Sequence, residues 1–329
     1  MKAPLIITGR DTRRLLSLEE CIDAVECAFR LRGEGRAQAP GVLGMHVEGG
    51  GFHIKSGVLG RTRPYFAAKV NGNFPGNPQR FGLPTIQGVL VLSDAENGRV
   101  LAVMDSMEIT ALRTGAATAV AAKYLARKDS HVATICGCGA QGRIQLRALR
   151  CVLRLRQVYA YDIAMERAAA FAERASQEFC IPVTKAADLR DALRQSDICV
   201  TCTPSRKAFL MQADVKPGTF IAAVGADHPE KQEVEPALMA SSRVIIDVLD
   251  QCAAMGDLHH ALEAGLMTRH DVHAELGEVV AGKKAGRESD EGVVIFDSTG
   301  MALQDVAAAA VVYEKAVQDE CCMAVDFAA

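Results

Sequence analysis

The segment HVATICGCGAQGRIQLRALRCVL constrains the fold more than any other in this chain. A short β-branched run leads into three glycines, Gly137, Gly139 and Gly142, and an amphipathic helical pattern follows at once. In a strand-turn-helix unit the first glycine permits the tight turn and the second lets a pyrophosphate approach the backbone. The third lets the helix pack close to the strand. Phosphates then sit on the N-terminus of the helix that Ala140 and Gln141 open. The next run, QVYAYD, ends at Asp162, about 20 residues beyond the last glycine, where a carboxylate accepts hydrogen bonds from ribose hydroxyls. These positions predict a dinucleotide site that favours NAD(H); Arg167 close by leaves NADP(H) open.

The same alternation continues through DICVTCT, TFIAAVG, RVIIDV and GVVIFDS, strands that are apolar throughout and separated by helical patterns. That combination predicts a parallel sheet covered on both faces. The first 125 or so residues read differently. After a helix at 17–32, short strands at 42–47, 52–56, 65–70, 86–92 and 99–104 are punctuated by GGG, NGNFPGNP and DAENG, which are turn sequences rather than crossover helices. The expected fold is α/β: a Rossmann domain at 125–304, plus an α+β substrate and dimerisation domain built from 1–124 with 305–329. The alanine-rich stretch 106–126 is a helix able to link the two, and the last 25 or so residues read as a helix and a short tail.

Composition excludes several function classes. In 329 residues, 37 basic and 40 acidic side chains leave a net charge of −3, which offers no electrostatic footprint for nucleic acid or an anionic membrane. No apolar run approaches the roughly 20 residues of a bilayer span, and the N-terminus lacks the pattern of a secretion signal. A cytoplasmic protein is expected. The eleven cysteines are odd in number and irregular in spacing, several within strand-like runs, so reduced, buried thiols are expected rather than disulfides. Cys199 and Cys202 have a zinc-like spacing, but residues three apart in a strand point to opposite faces and no second ligand pair stands nearby; no metal is expected.

Taken together, KVNGNFPGN, ALRTGAATAVAAKYLAR, GCGAQGR, VGADHPEKQEV, AELGEVVAGKKAGRESD and VIFDSTG resemble the ornithine cyclodeaminase/mu-crystallin family over residues 35–318, in collinear order. The resemblance implies a homodimer whose chemistry is hydride transfer between nicotinamide and the α-carbon of an amino or imino acid. It implies that Lys69 and Arg113 grip the substrate carboxylate and that Asp227 is the acid/base group, with Lys69 also counted as catalytic. It implies cofactor contacts at Thr85, Thr203, Val224, Gly225, Ala226, Lys231 and Ser298, and substrate contacts at His228 and Thr299. An alternative reading of Asp227, from position alone, is a helix N-cap.

The stretch HVEGGGFHIKSG departs from ornithine cyclodeaminase, which carries a glutamate where this chain has His53, while the dehydrogenases of the family carry an arginine there. A cation usual on the preceding strand is replaced by Val42. Alternation puts His53 and Lys55 on one face, with Ile54 directed into a core, and His46 across the GGG turn can join them. A pocket with Lys69, Arg113, His53, Lys55 and His46 is strongly cationic. It suits a 2-imino acid that is cyclic or carries a second anionic group better than it suits ornithine. The primary expectation is therefore an NAD(P)H-dependent reductase giving an L-amino acid, in the manner of alanine dehydrogenases and ketimine reductases. Ornithine cyclodeaminase and a non-catalytic, mu-crystallin-like small-ligand binding protein are the alternatives.

Overall fold

The computed structural model describes residues 3–38, 40–60 and 63–327. Two compact units divide the chain, one formed by Met1–Arg113 with Met301–Ala329 and the other by Thr114–Gly300.

In the first unit, β1 (Leu5–Ile7) is followed by α1 (Gly9–Leu15) and α2 (Leu18–Gly33), then by β2 (Gly41–Val47), β3 (Gly50–Gly60) and β4 (Pro64–Asn73). After the short α3 (Asn77–Phe81) come β5 (Ile86–Asp94), β6 (Val100–Asp105) and α4 (Ser106–Leu125). Ser17 and Glu20 form a reciprocal capping box that starts α2 at the first apolar-periodic residue. Strands β2 to β6 make an antiparallel meander, each pairing with its neighbour in sequence; short turns join β2 to β3 and β5 to β6, and a longer loop carrying α3 joins β4 to β5. Gly49 takes a φ of 81° in the β2–β3 turn, so the three glycines of GGG serve a strand reversal. One difference concerns Ile54, which is half-buried rather than in the core.

The second unit opens its sheet with β7 (Val132–Cys136), α5 (Ala140–Val152), β8 (Gln157–Tyr161), α6 (Met165–Phe179) and β9 (Val183–Lys185). It continues through α7 (Leu189–Gln195), β10 (Ile198–Thr201), β11 (Arg206–Leu210), β12 (Phe220–Ala223) and β13 (Gln232–Val234). Then follow α8 (Pro236–Ser241), β14 (Arg243–Ile246), α9 (Leu249–Met255), α10 (Asp257–Glu263), β15 (Ala274–Glu275), α11 (Leu276–Val280) and β16 (Val294–Asp297). Eight strands pair in the order β15-β14-β16-β12-β10-β7-β8-β9, every pair parallel. Ile198, Val200, Phe220, Ile221, Ile245 and Ile295 are buried to the last atom, which is why these strands read as unbroken apolar runs. The chain reverses its direction of winding between β7 and β10, the switch point at which open α/β sheets leave a crevice. This is the α/β Rossmann architecture.

The chain then returns to the first unit as α12 (Ala302–Asp319) and β17 (Met323–Ala324). The short tail after α12 adds a two-residue antiparallel strand to β1. Helix α12 packs on β3, β4 and α2, burying Val306, Ala309, Val312 and Ala316. The division between the two units falls inside α4, between Arg113 and Thr114. Among the described residues no helix is long and apolar enough to cross a membrane, and no cluster of His, Cys, Asp or Glu is arranged to hold a metal ion. Among the described residues no disulfide forms; Cys21, Cys136, Cys138, Cys199 and Cys252 are buried thiols, but Cys151 and Cys180 lie at the surface of helix ends.

Candidate active site

In the first unit the antiparallel register brings the cationic residues together. Lys55 on β3 lies directly opposite Lys69 on β4, His53 opposite Asn71, and Gly51, in line with both, opposite His46 on β2. Directly paired residues project to the same side of a sheet, so His46, His53, Lys55 and Lys69 share one face. Val42 sits opposite Lys55 on that face, so the cation missing from β2 is matched by one on its pairing partner.

Lys69 is buried, with 3 % of its surface exposed, and so is Arg113 on α4, with 6 %. Neither is the surface residue that a lysine or arginine in isolation suggests. Both meet a residue that sequence reasoning missed, Asp305 in the first turn of α12. Lys69 Nζ donates to Asp305 Oδ1 at 2.9 Å and to Thr110 Oγ1 at 3.2 Å, and Arg113 Nε donates to the same Oδ1 at 3.0 Å. Arg113 Nη1 also donates to Gln304 Oε1 at 3.1 Å. Burial lowers the pKa of Lys69 to about 7; Asp305 opposes that fall, while Arg113 and Lys55 add to it. Burial alone would raise the pKa of Asp305, but the two cations hold it below the usual carboxylate value.

In the second unit the glycine loop fits a dinucleotide. Gly137 has a φ of 104°, and a Cβ on Gly142 would stand 2.2 Å from the Gly137 carbonyl oxygen, so both positions exclude side chains. A Cβ on Gly139, by contrast, would point into open space, and no side chain caps the helix it precedes. The backbone N–H groups of the first turn, including those of Ala140 and Gln141, are thus presented to a phosphate. Beside them a cavity of about 890 Å³ is lined by Cys138, Gly139, Ala140, Arg143, Arg167 and Phe171, among others. Asp162 follows β8 and accepts from the backbone N–H of Cys138 at 3.0 Å and of Ala164 at 3.0 Å, with Arg167 3.7 Å away. It ties the glycine loop down, and each of its oxygens retains a further lone pair for a ribose hydroxyl.

Three further loops at the strand ends are held by buried carboxylates absent from the sequence reading. Glu233 on β13 accepts from Thr201 Oγ1 (2.7 Å), from the N–H and hydroxyl of Thr203 (2.6 and 2.7 Å) and from the Gly225 N–H (2.9 Å). It therefore fixes Thr203 and the turn Val224, Gly225, Ala226 together. Asp247 accepts from the hydroxyls of Ser298 (3.0 Å) and Thr299 (3.2 Å) and from the Gly300 N–H (2.6 Å). Asp257 and Asp297 complete the group, each accepting from two backbone N–H groups.

Asp227 follows β12 in an exposed turn and pairs with Lys231, Nζ to Oδ1 2.6 Å. The N-cap alternative fails: β13 follows the turn, and the next helix, α8, begins only at Pro236. His228 Nδ1 accepts from the Glu230 N–H at 3.2 Å. Thr85, in the first unit, is half-buried, and its carbonyl accepts from the Phe74 N–H at 2.8 Å.

The sequence profile of the ornithine cyclodeaminase/mu-crystallin family matches residues 3–320. This chain belongs to that family. Among similar solved structures is an archaeal alanine dehydrogenase dimer with bound NAD, 41 % identical with a TM-score of 0.93, covering 98 % of this chain and 99 % of that one. The Δ1-pyrroline-2-carboxylate reductase of Thermococcus litoralis, in complex with NADH and L-proline, is 33 % identical with a TM-score of 0.91 over 98 % and 100 %. The iminosuccinate reductase of Paracoccus denitrificans, in complex with NAD+, is 32 % identical with a TM-score of 0.89 over 99 % and 100 %. At the level of the family, the chain is an NAD(H)-linked oxidoreductase acting on amino or imino acids.

Proposed function

We propose that the protein reduces a 2-imino acid to an L-amino acid, and that its substrate is cyclic or carries a second anionic group. One observation carries this reading: a single sheet face presents Lys69, Lys55, His53 and His46, with Arg113 buried beside Lys69. Asp305 is the carboxylate found on the two grip residues, and its Oδ1 already serves both. A face of that charge favours an added carboxylate over the side-chain ammonium of ornithine. Relatives that act on ring imino acids and on iminosuccinate support the same substrate classes.

Lys69 and Arg113 bind the substrate carboxylate, a point charge and a planar fork that together fix its orientation. Asp227 exchanges the proton at the substrate nitrogen, and Lys231 holds its carboxylate in place. The loop Gly137–Gly142 with Ala140 and Gln141, and the groups Asp162, Thr203, Val224, Gly225, Ala226, Lys231, Ser298 and Thr85, would hold NAD(H), with Arg167 leaving NADP(H) to be tested. Bound nicotinamide supplies the hydride exchanged at the substrate α-carbon. His228 and Thr299 border the substrate. A second copy of the chain covers the opposite, apolar face of the β2–β5 sheet, a reading supported by the similar archaeal alanine dehydrogenase being a dimer.

The test is NADH and NADPH oxidation against keto acids supplied with ammonia or methylamine, pyrroline-, piperideine- and thiazoline-carboxylates, and imino-dicarboxylates. Stoichiometric NADH consumption with an anionic or cyclic imino acid is expected. Release of ammonia and proline from ornithine with only catalytic NAD, and no turnover of the imino acids, would overturn the proposal.

A further inference from the structure

Three charged groups on three elements meet in the interior of the first unit. Asp305 Oδ1 takes one hydrogen bond from Lys69 and one from Arg113, which is the arrangement those two donors would give one oxygen of a substrate carboxylate. All three groups are at least nine-tenths buried. The other oxygen, Asp305 Oδ2, and the neighbouring Gln304 Nε2 are buried without a hydrogen-bond partner. A buried acceptor and a buried donor left unsatisfied on adjacent residues are costly, and they mark hydrogen-bonding capacity that the protein's own groups do not use. Asp305 lies in the first turn of α12, where the helix dipole favours a negative charge. Every other residue of that helix from Val306 to Val311 is apolar, so the pair Gln304 and Asp305 is its one polar intrusion into this region.

We propose that Asp305 is an internal counter-anion that positions Lys69 and Arg113 and keeps Lys69 protonated until a substrate carboxylate arrives to share the two cations. The proposal rests on the reading of Lys69 and Arg113 as the carboxylate grip and adds a residue and a consequence to it. The charges around Lys69 are Asp305 on α12, Arg113 on α4 and Lys55 on β3, with Thr110 on α4 and Gln304 on α12 as neutral polar neighbours. On α2 the Cys21 thiol feels both Arg113 and Asp305. Among the described residues of that set, Asp305 is the only anion at neutral pH. Without it, burial, Arg113 and Lys55 all act to strip the proton from Lys69. With it, the incoming carboxylate meets a negative charge already in place. The device thus trades some affinity for a lysine that stays charged near neutral pH.

The two consequences have opposite signs on the two sides of the pH scale, which separates a positioning role from a structural one. The probe is pyrrole-2-carboxylate, a flat ring carboxylate that accepts no hydride, titrated calorimetrically into the full-length, NAD-saturated protein across neutral and alkaline pH. In the wild type its affinity falls as pH rises through about 7, where Lys69 gives up its proton. Asp305→Asn is expected to move that limb to lower pH by about 1–3 units and, below the limb, to bind the probe more tightly than the wild type by about tenfold. Asp305→Glu, which restores the charge, returns the limb toward its wild-type position. Where asparagine prevents folding, Asp305→Ser removes the same charge with less bulk and carries the same expectation. A limb that stays in place in the uncharged variant, or affinity weakened equally at every pH, overturns the proposal. Lys69→Arg, which does not titrate in this range, identifies the level of failure. Loss of the limb in Lys69→Arg with no shift in Asp305→Asn removes only the counter-anion, whereas a limb that survives Lys69→Arg removes the grip reading and the proposal with it.

Discussion

A Cβ placed on Gly225 would come within 2.5 Å of the Glu233 carboxylate, the group that joins Thr201, Thr203 and the Gly225 N–H. Gly225→Ala therefore has to push Glu233 off those donors. The expected cost is about 1–3 kcal/mol of stability, accompanied by weaker NADH binding, and urea unfolding with a fluorescence titration of NADH measures both. Values equal to the wild type would show that this carboxylate does not organise the loop. At Asp227 the expectation concerns rate: Asp227→Asn lowers kcat by about 10²–10⁴-fold while the NADH dissociation constant stays put, which stopped-flow and binding assays separate. If kcat is retained, the proton at the substrate nitrogen is managed elsewhere. Single residues were legible in the sequence to the extent that their motifs were local. The three glycines and Asp162 lie within one strand-turn-helix-strand unit, so spacing alone places them. Lys69 was visible but its counter-ion was not, because Asp305 stands 236 positions away and nothing in the local pattern ties the two together. The polar pair in GMALQDVAAAA, at the start of an otherwise apolar helix, is the signal that could have found it.

At the scale of elements, β13, α10 and β16 each deliver one carboxylate to the same interior region. Burial raises Glu233 to about 7, with Asp257 nearby adding to the rise, and raises Asp257 to about 6; Asp297 is pushed well up by burial and then by Asp257. An acid whose folded pKa exceeds its unfolded one binds its proton more tightly in the folded state. The stabilising effect is complete below the unfolded pKa, near 4.5 for Glu233, and is lost as pH rises through about 7. Stability of the second unit should accordingly decline between those limits by up to about 1.4 kcal/mol per pH unit for each such proton. Glu233→Gln, which cannot ionise, should flatten that part of the curve in urea unfolding followed against pH. An unchanged slope would mean that Glu233 is already ionised throughout. The strands that carry these groups were readable as a parallel set, since each is apolar along its whole length. Their spatial order was not, because β16 inserts between β12 and β14 through contacts remote in sequence. Glu233 and Asp257 each look like an ordinary surface acid in sequence for the same reason: what buries them comes from elsewhere in the chain.

For the whole molecule, the telling surface is the side of the first sheet that faces away from Lys69. Register puts Leu43, Ile54, Val70 and Val89 in one row across β2 to β5, with Met45 and Phe52 in the next. Leu43, Met45, Phe52 and Val89 are between 39 and 55 % exposed, far more than is usual for residues of this size arranged contiguously. A net charge of only −3 gives little repulsion between copies. The strip and the cationic row alternate along the same strands, so the period of two that forms one face forms the other. If a second copy covers the strip about a two-fold axis, any charge introduced there appears twice in the interface. In the isolated chain such surface changes cost less than about 0.5 kcal/mol each. Leu43→Glu combined with Val89→Glu should therefore convert the protein from twice the chain mass to the 35.1 kDa of one chain in sedimentation equilibrium, while NADH still binds. Wild-type protein that already sediments at 35.1 kDa would show that copies do not pair and leave this strip to a different partner, whereas a variant that stays at twice that mass would place the contact on another surface.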